Sequence, residues 1–237
     1  MVALKQTKQL TLPVQLPSSA QFSYFVAGSN AAAVEYLATP RGEAGFAHTA
    51  VYGGKGVGKT HLLCAVTEQA NTEGLVSMYV PMRDAVLQGH PQLLEGLENC
   101  HVLALDDIHE AAHSKEWNLA LFALINRFID KRSGHLVWSA SESAHQLPMQ
   151  LADLRSRLQA ATAFVIHPLQ DNDKQLALRQ HAQSRGLVLS GEVADYMLSR
   201  LPRTMPSLIG TLEQLDAASM REQRRLTVPF VKQVLGL

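Results

Sequence analysis

Between residues 29 and 167, short apolar runs alternate with segments whose apolar residues recur at helical spacing. The clearest periodicity runs over 117–129, with apolar residues at 117, 121, 124, 125 and 128, and predicts a helix with one buried face. Further helices are expected over 30–37 and 61–70. Five apolar runs are predicted strands: 49–52, 76–80, 102–105, 136–138 and 164–166. This alternation predicts an α/β fold, with a five-stranded parallel sheet covered by helices on both faces.

After Pro168 the pattern changes, and helical periodicity replaces the strand runs. Four helices are predicted: 171–185, 192–200, 207–220 and 229–235. Thr227 is the expected N-cap of the last, with Pro229 in its first turn. The first twenty residues lack long apolar periodicity and contain Pro13 and Pro17, which predicts an extended tail. We therefore divide the chain into a tail (1–20), an α/β domain (21–168) and a small all-helical domain (169–237) that leans on it.

Composition narrows the possible functions. The chain has 237 residues with 21 basic and 21 acidic side chains, and the local balance is +2 over 1–20, −4 over 21–167 and +2 over 168–237. No segment has the positive field of a dedicated DNA-binding domain, so DNA contact is expected to be weak or indirect. With only two cysteines, the sequence has no disulfide framework. No apolar run reaches the about 18 residues that a membrane-spanning helix needs. These features predict a cytoplasmic protein that does not contact membranes.

The strongest chemical signal is the segment 53–60, which fits G-x-x-x-x-G-K-[ST] between a predicted strand and a predicted helix. Glycines allow backbone N–H groups to turn toward phosphate oxygens, and here they are Gly53, Gly54, Gly56 and Gly58. Lys59 is expected to reach the β- and γ-phosphates, and Thr60 to ligate Mg²⁺. The alternative is a glycine-rich turn with no ligand, which the strand–helix context disfavours.

Two acidic residues follow the third predicted strand, which is typical of the Walker B motif. Asp106 is expected in the Mg²⁺ shell, and Asp107 is positioned to orient a water molecule. Ser141 lies just beyond the fourth strand, where a polar side chain can contact the γ-phosphate or the attacking water. Each segment by itself could equally be a polar strand end or a serine-rich turn.

Two arginines, Arg155 and Arg157, lie on a short predicted helix before the last strand. Residues two apart on a helix diverge by about 200°, so only one of them can face a given site. They are either surface arginines or a source of an arginine finger for a neighbouring protein's nucleotide.

In this order, these motifs resemble the AAA+ family, and in particular its DnaA-like branch. The segment Phe22–Asn30 is similar to the family's opening box beside the nucleotide base, and the similarity extends over nearly the whole chain. Within the branch the chain is most similar to short regulatory members. The segment 211–219 resembles their helical subdomain, and the resemblance leads us to expect no DNA-binding helix-turn-helix domain after Leu226–Lys232. The tail sequence resembles their sliding-clamp motif, here Gln9, Leu10, Thr11, Leu12 and Pro13.

The resemblance implies roles for individual residues. Phe25, Asn30 and His61 would lie near the bound nucleotide, Ser141 at the sensor 1 position, and Arg157 at the arginine finger. Two positions depart from the family pattern. Sensor 1 is usually acidic, and the sensor 2 arginine is replaced by Pro206, for which Arg203 is the available substitute.

The resemblance also implies a function. Such regulators bind an adenine nucleotide, ADP or ATP, with Mg²⁺, and they act on the DNA-loaded sliding clamp to promote hydrolysis of ATP bound to DnaA. The expected partners are therefore the clamp, DnaA and further copies of this chain in a homodimer or higher oligomer. The alternatives are an autonomous AAA+ ATPase of the helicase-loader type and, less favoured, a small-molecule kinase. The departure at Pro206 counts against strong hydrolysis by the chain itself.

Overall fold

A computed structural model describes residues 20–236, and its centre is a five-stranded sheet in the order β2-β3-β4-β1-β5. The strands are β1 (Ala47–Tyr52), β2 (Ser77–Pro81), β3 (Val102–Asp106), β4 (His135–Ala140) and β5 (Thr162–Val165). All neighbouring strands are parallel, and the register places Val51 opposite Ser139 on one side and Phe164 on the other. The predicted parallel α/β sheet is confirmed.

Helices cover both faces of the sheet. They are α1 (Ala31–Ala38), α2 (Lys59–Thr72), α3 (Met82–Gln88), α4 (Lys115–Lys131) and α5 (Ala152–Gln159). Because successive side chains of a strand point to opposite faces, the sheet separates two hydrophobic clusters. In β4, Leu136 and Trp138 pack with α3, α4 and α5 on one face, whereas Val137 packs with α1 and α2 on the other. Among the described residues, no helix has the length and apolar character needed to cross a membrane.

The C-terminal part is all-helical, as the sequence predicted. Its helices are α6 (Asp171–Ser184), α7 (Gly191–Arg200), α8 (Met205–Glu222) and α9 (Val228–Leu235). They enclose a separate core around Met197, Leu212 and Phe230. Thr227 caps α9 as expected, because its side chain accepts a hydrogen bond from the N–H of Phe230. The proposed boundary at 168 falls between the end of β5 and the start of α6.

The helix α3 was not predicted. Only two of its seven residues, Met82 and Ala85, are buried, so the segment is too short to show a helical period. It ends at Gly89, which adopts a left-handed conformation with φ of 72°. Most other elements differ from the prediction by one or two residues at their ends, where side-chain pattern carries little information.

The two domains meet at the carboxyl edge of the sheet. The Asn30 side chain donates to the carbonyl of His167 (3.0 Å) and accepts from its N–H (2.8 Å), which ties the opening segment to the residues after β5. The ring of Pro206 lies over Gly56, since a methyl group added to Gly56 would come within 2.7 Å of Pro206 Cγ and Cδ. The first turn of α8 therefore rests on the glycine-rich loop.

Candidate functional site

The glycine-rich loop leaves the carboxyl end of β1 and leads into α2, beside the ends of β3 and β4. Ligands of open parallel sheets bind at this edge, outside the carboxyl ends of the strands. Gly58 adopts φ of 105°, and a methyl group there would lie 2.7 Å from Phe25 Cε2. The absence of a side chain at Gly58 thus permits both the turn of the loop and its close contact with Phe25.

Lys59 is nearly buried, at 8% exposure, and its ammonium lies within the loop. Its Nζ donates to the carbonyl oxygens of Gly53 (2.8 Å) and Gly54 (3.0 Å). An ammonium held in this way is a compact point charge beside backbone N–H groups and the N-terminus of α2. Both of these features favour anions.

The carboxylate of Asp106 collects three hydroxyl donors from three different elements. Thr60 Oγ1 (2.6 Å) and Tyr79 Oη (2.8 Å) donate to its Oδ2, and Ser139 Oγ donates to its Oδ1. The parallel register makes this possible, since Ser139 on β4 and Tyr79 on β2 flank β3 on the α2 side of the sheet. Burial and the neighbouring carboxylate raise the pKa of Tyr79 above its ordinary value, which keeps this hydroxyl a proton donor.

Asp107 begins the turn after β3 in a left-handed conformation, with φ of 58°. Its N–H donates to Ser139 Oγ (2.8 Å), so one serine fixes both acidic residues. Burial, and after it the charge of Asp106, raises the pKa of Asp107. Its Oδ1 lies 3.9 Å from Nδ1 of His109. A group with these properties can orient water when ionised.

A cleft joins four of the predicted site residues, namely Lys59, Asp106, Asp107 and Ser141. The other residues that line it are Lys55, Pro81, Met82, Arg83, Asp84 and His109. The oxygen donor set of Thr60 and Asp106 fits Mg²⁺, which prefers hard oxygen ligands and needs only one or two from the protein beside nucleotide phosphates. These two residues would hold the ion, which would neutralise charge on the phosphates.

The predicted base-side residues form a second group behind the loop. The Phe25 and His61 rings meet edge to face with centroids 5.3 Å apart, and His61 Nε2 lies 2.9 Å from the carbonyl oxygen of Gln21. Burial lowers the pKa of His61. Asn30 is 3% exposed, and its side-chain amide is hydrogen-bonded to the backbone of His167, as described above.

Two predicted features lie apart from the cleft, and the structure does not describe a third. Arg203 is 62% exposed and pairs through Nη1 with Asp171 Oδ2 at 2.9 Å. Arg157 is exposed on α5, next to the buried Leu158 that anchors this helix. The predicted clamp motif, residues 9–13, lies outside the described residues.

Two residues that contact Asp106, Ser139 and Tyr79, carry no predicted role in the sequence. Tyr79 lies within the predicted strand 76–80, and Ser139 lies two residues before the predicted site residue Ser141. The residue alternation in β4 does place Ser139 on the same face as Val137, on the side of α2. Its contact with Asp106 depends on the register of β3 against β4, which no local pattern encodes.

Comparison with known proteins assigns the family. A family model for the bacterial DnaA ATPase domain matches residues 16–165, which is more than half of the chain. This chain belongs to the bacterial DnaA ATPase domain family. A second model, for the lid domain of Hda, matches residues 171–235. The chain is therefore a DnaA-homologous AAA+ protein with an Hda-like lid, in agreement with the resemblance drawn from its motifs.

Solved structures share this fold. Domain III of the Thermotoga maritima replication initiation protein DnaA superposes with a TM-score of 0.76 at 20% identity, over 94% of this chain and 98% of that one. AMPPCP-bound DnaA from Aquifex aeolicus has a TM-score of 0.66 at 19% identity, over 85% and 66%. The Thermotoga maritima RuvB Holliday junction branch migration motor has a TM-score of 0.54 at 17% identity, over 80% and 61%. At these identities the likeness shows the AAA+ fold alone.

Proposed function

We propose that this protein is a regulator of replication initiation. It binds an adenine nucleotide and, with the DNA-loaded sliding clamp, promotes hydrolysis of the ATP held by DnaA. The observation that carries the proposal is the pairing of a DnaA ATPase domain, residues 16–165, with an Hda-type lid, residues 171–235. DnaA from Aquifex aeolicus binds AMPPCP in its solved structure, which supports adenine as the base recognised by this homologous fold.

The geometry of the site supports nucleotide binding. The glycine-rich loop, the buried ammonium of Lys59 and the N-terminus of α2 offer positive potential where phosphates would lie. Thr60 and Asp106 are hydrogen-bonded at 2.6 Å, so a single cation can contact both. Ser141 and Asp107, which line the same cleft, remain the proposed contacts for the γ-phosphate or its water.

The action on DnaA is proposed to pass through Arg157. A guanidinium stays charged and presents a planar fork of donors, so it can stabilise negative charge that develops on a γ-phosphate in another protein. The α5 helix buries Leu154 and Leu158 and leaves Arg157 exposed, which lets the side chain enter a partner's site. Residues 9–13 are proposed to bind the clamp and so bring Arg157 to DnaA on DNA.

The deciding experiment follows conversion of labelled ATP–DnaA to ADP–DnaA in the presence of clamp-loaded DNA and this protein. We expect the wild-type protein to accelerate conversion and Arg157→Ala to lose most of that acceleration. A finger supplied in trans contributes about 10³–10⁵ in rate. Arg155→Ala is the matched control, since it removes the same charge from the same helix, and it should retain most of the activity.

Two further measurements separate the parts of the proposal. The double change of Leu10 and Leu12 to Ala should weaken clamp binding at least about a hundredfold, because each buried leucine contributes about 1.5–3 kcal/mol. It should leave nucleotide binding intact.

Full DnaA inactivation by Arg157→Ala would place the finger elsewhere. ATP turnover by this protein alone, without DnaA, would favour the autonomous ATPase instead.

A further inference from the structure

A groove of about 840 Å³ opens in the helical domain, and we call it the lid groove. It lies between residues 186–193, which lead into α7, and residues 219–229, which lead from α8 into α9. Every residue that lines it belongs to the lid, and none of them lines the cleft beside Lys59. The proposed roles of the nucleotide site and of Arg157 therefore leave this groove without a function.

The lid groove exposes apolar side chains. Val188 is 86% exposed, more than any other large apolar side chain among the described residues. Leu187 and Val228 line the groove with it. Met220, which is 76% exposed, precedes the lining residue Gln223 by about one helical turn. Burial of this surface against a partner would be favourable, because it removes apolar area from water.

Arg224, which also lines the lid groove, is held in place by its neighbours. Its Nη1 donates to Gln233 Oε1 (2.7 Å) and lies 3.4 Å from Glu222 Oε2, and its Cζ lies 4.8 Å from the centroid of the Phe230 ring. Its Nε and Nη2 make no hydrogen bond within the part of the chain that the structure describes. A guanidinium fixed in this way can present its remaining N–H groups to a carboxylate with little further loss of side-chain entropy.

Further donors lie beside Arg224. Arg225 lines the groove, is exposed, and has neither a hydrogen bond nor an ion pair from its side chain within residues 20–236. The hydroxyl oxygens of Ser190 and Thr227 each accept a backbone N–H at the start of α7 and of α9, so their hydroxyl hydrogens stay available as donors. Glu192 is the only acidic side chain among the described residues that line the groove, against the two arginines.

We propose that the lid groove binds an acidic peptide segment of a partner protein, in which apolar side chains alternate with carboxylates. The apolar side chains would be buried against Val188, and the carboxylates would accept hydrogen bonds from Arg224 and Arg225. Such a segment satisfies both properties of the groove, its exposed apolar surface and its excess of cationic donors. The interaction would give the protein a docking surface that is separate from its nucleotide site.

Two other occupants match the groove less well. Duplex DNA offers a row of phosphates but no apolar side chain to cover Val188, and Glu192 would repel its backbone. The first twenty residues of this chain carry a charge of +2, the same sign as the arginines. Charge and apolar surface together therefore favour the acidic segment.

Fluorescence anisotropy with short labelled peptides tests the proposal on the full-length protein. One peptide alternates leucine with glutamate, a second alternates serine with glutamate, and a third alternates leucine with lysine. We expect the leucine–glutamate peptide to bind most tightly, and to bind more weakly when added salt screens its ion pairs. In hydrogen exchange, this peptide should protect residues 186–193 and 219–229.

Variants at exposed positions separate the two contributions to binding. Val188→Ser should weaken binding of the leucine–glutamate peptide by about tenfold, because it removes the apolar surface that the leucines cover. Arg225→Ala should weaken it by about threefold or more, as expected for loss of a partly solvated ion pair. Arg200→Ala is the matched control: it removes the same charge from the other end of α7 and should change the affinity by less than about twofold.

Three outcomes would overturn the proposal. The first is no binding of the leucine–glutamate peptide, and the second is equal binding of all three peptides. The third is tighter binding of a short DNA duplex that Arg225→Ala weakens, which would assign the groove to nucleic acid. Failure of the wild-type protein to bind ADP would instead count against the proposed function and would leave the lid groove proposal standing.

Discussion

At the scale of single residues, the nearly buried ammonium of Lys59 is hydrogen-bonded by the loop that precedes it. It donates to two loop carbonyls, those of Gly53 and Gly54. An unpaired buried ammonium would be costly, and these bonds remove that cost. In the proposed nucleotide complex, this ammonium would face phosphate oxygens held by the loop N–H groups.

We predict that Lys59→Ala weakens nucleotide binding about 10- to 100-fold, because it removes a charge-assisted contact of about 1.5–3 kcal/mol. Isothermal titration with ADP measures the change. Lys55→Ala is the control: Lys55 also lines the cleft but is exposed, so its loss should weaken binding much less. Equal affinity in Lys59→Ala and wild type would reject the phosphate-loop assignment.

At the scale of elements, one buried amide positions the helix that carries Arg157. Asn118 on α4 is fully buried, and its Nδ2 donates to the carbonyls of Ala111 (2.8 Å) and Ser114 (2.8 Å). Its Oδ1 accepts from the N–H groups of Gln150 (2.8 Å) and Leu151 (3.3 Å), the two residues that precede α5. The start of α5 is therefore fixed by a side chain more than thirty residues away in the sequence.

We predict that Asn118→Ala lowers the free energy of unfolding by about 2–4 kcal/mol, because several buried backbone groups lose their partner. Urea denaturation monitored by circular dichroism measures this. Lys115→Ala, at an exposed position of the same helix, should change stability by no more than about 0.5 kcal/mol. If Asn118→Ala proves as stable as this control, the amide does not organise the start of α5.

At the scale of the whole molecule, two histidines at the amino edge of the sheet link stability to pH. His48 Nε2 accepts a hydrogen bond from Trp138 Nε1 (2.8 Å), and His135 Nε2 lies 2.9 Å from Thr49 Oγ1. Burial lowers the pKa of both to about 4, from an ordinary value of 6.5. Protonation of His48 at Nε2 would also break its bond to Trp138.

As the pH falls, these two histidines therefore take up protons in the unfolded chain before they do so in the folded protein. The stability that the two neutral histidines contribute is fully present above about pH 6.5 and is lost progressively toward pH 4. We predict that the free energy of unfolding is about 2–4 kcal/mol lower at about pH 5 than at about pH 7. Urea denaturation at the two pH values measures this difference. His135→Gln should reduce this difference, whereas His90→Gln, at an exposed site, should not. A difference unaffected by His135→Gln would assign it to other groups.

The fold and part of the site were predictable because their signals are local. The apolar runs of the strands, the helical period and the N-cap at Thr227 depend on neighbours a few residues apart, and the segment 53–60 encodes its own turn with glycines. The helix α3 was missed because too few of its residues are buried to show a period.

The sequence by itself thus determined the parallel α/β architecture, the helical lid and the glycine-rich loop with its lysine. Only the tertiary structure decided which side chains meet across elements: Ser139 and Tyr79 on Asp106, Asn118 on the start of α5, and Pro206 on Gly56. The physical reason is the sequence separation over which each signal acts. A periodic pattern records which face of an element is buried. These contacts instead depend on strand register and on the docking of the lid, which are set by packing of the whole chain.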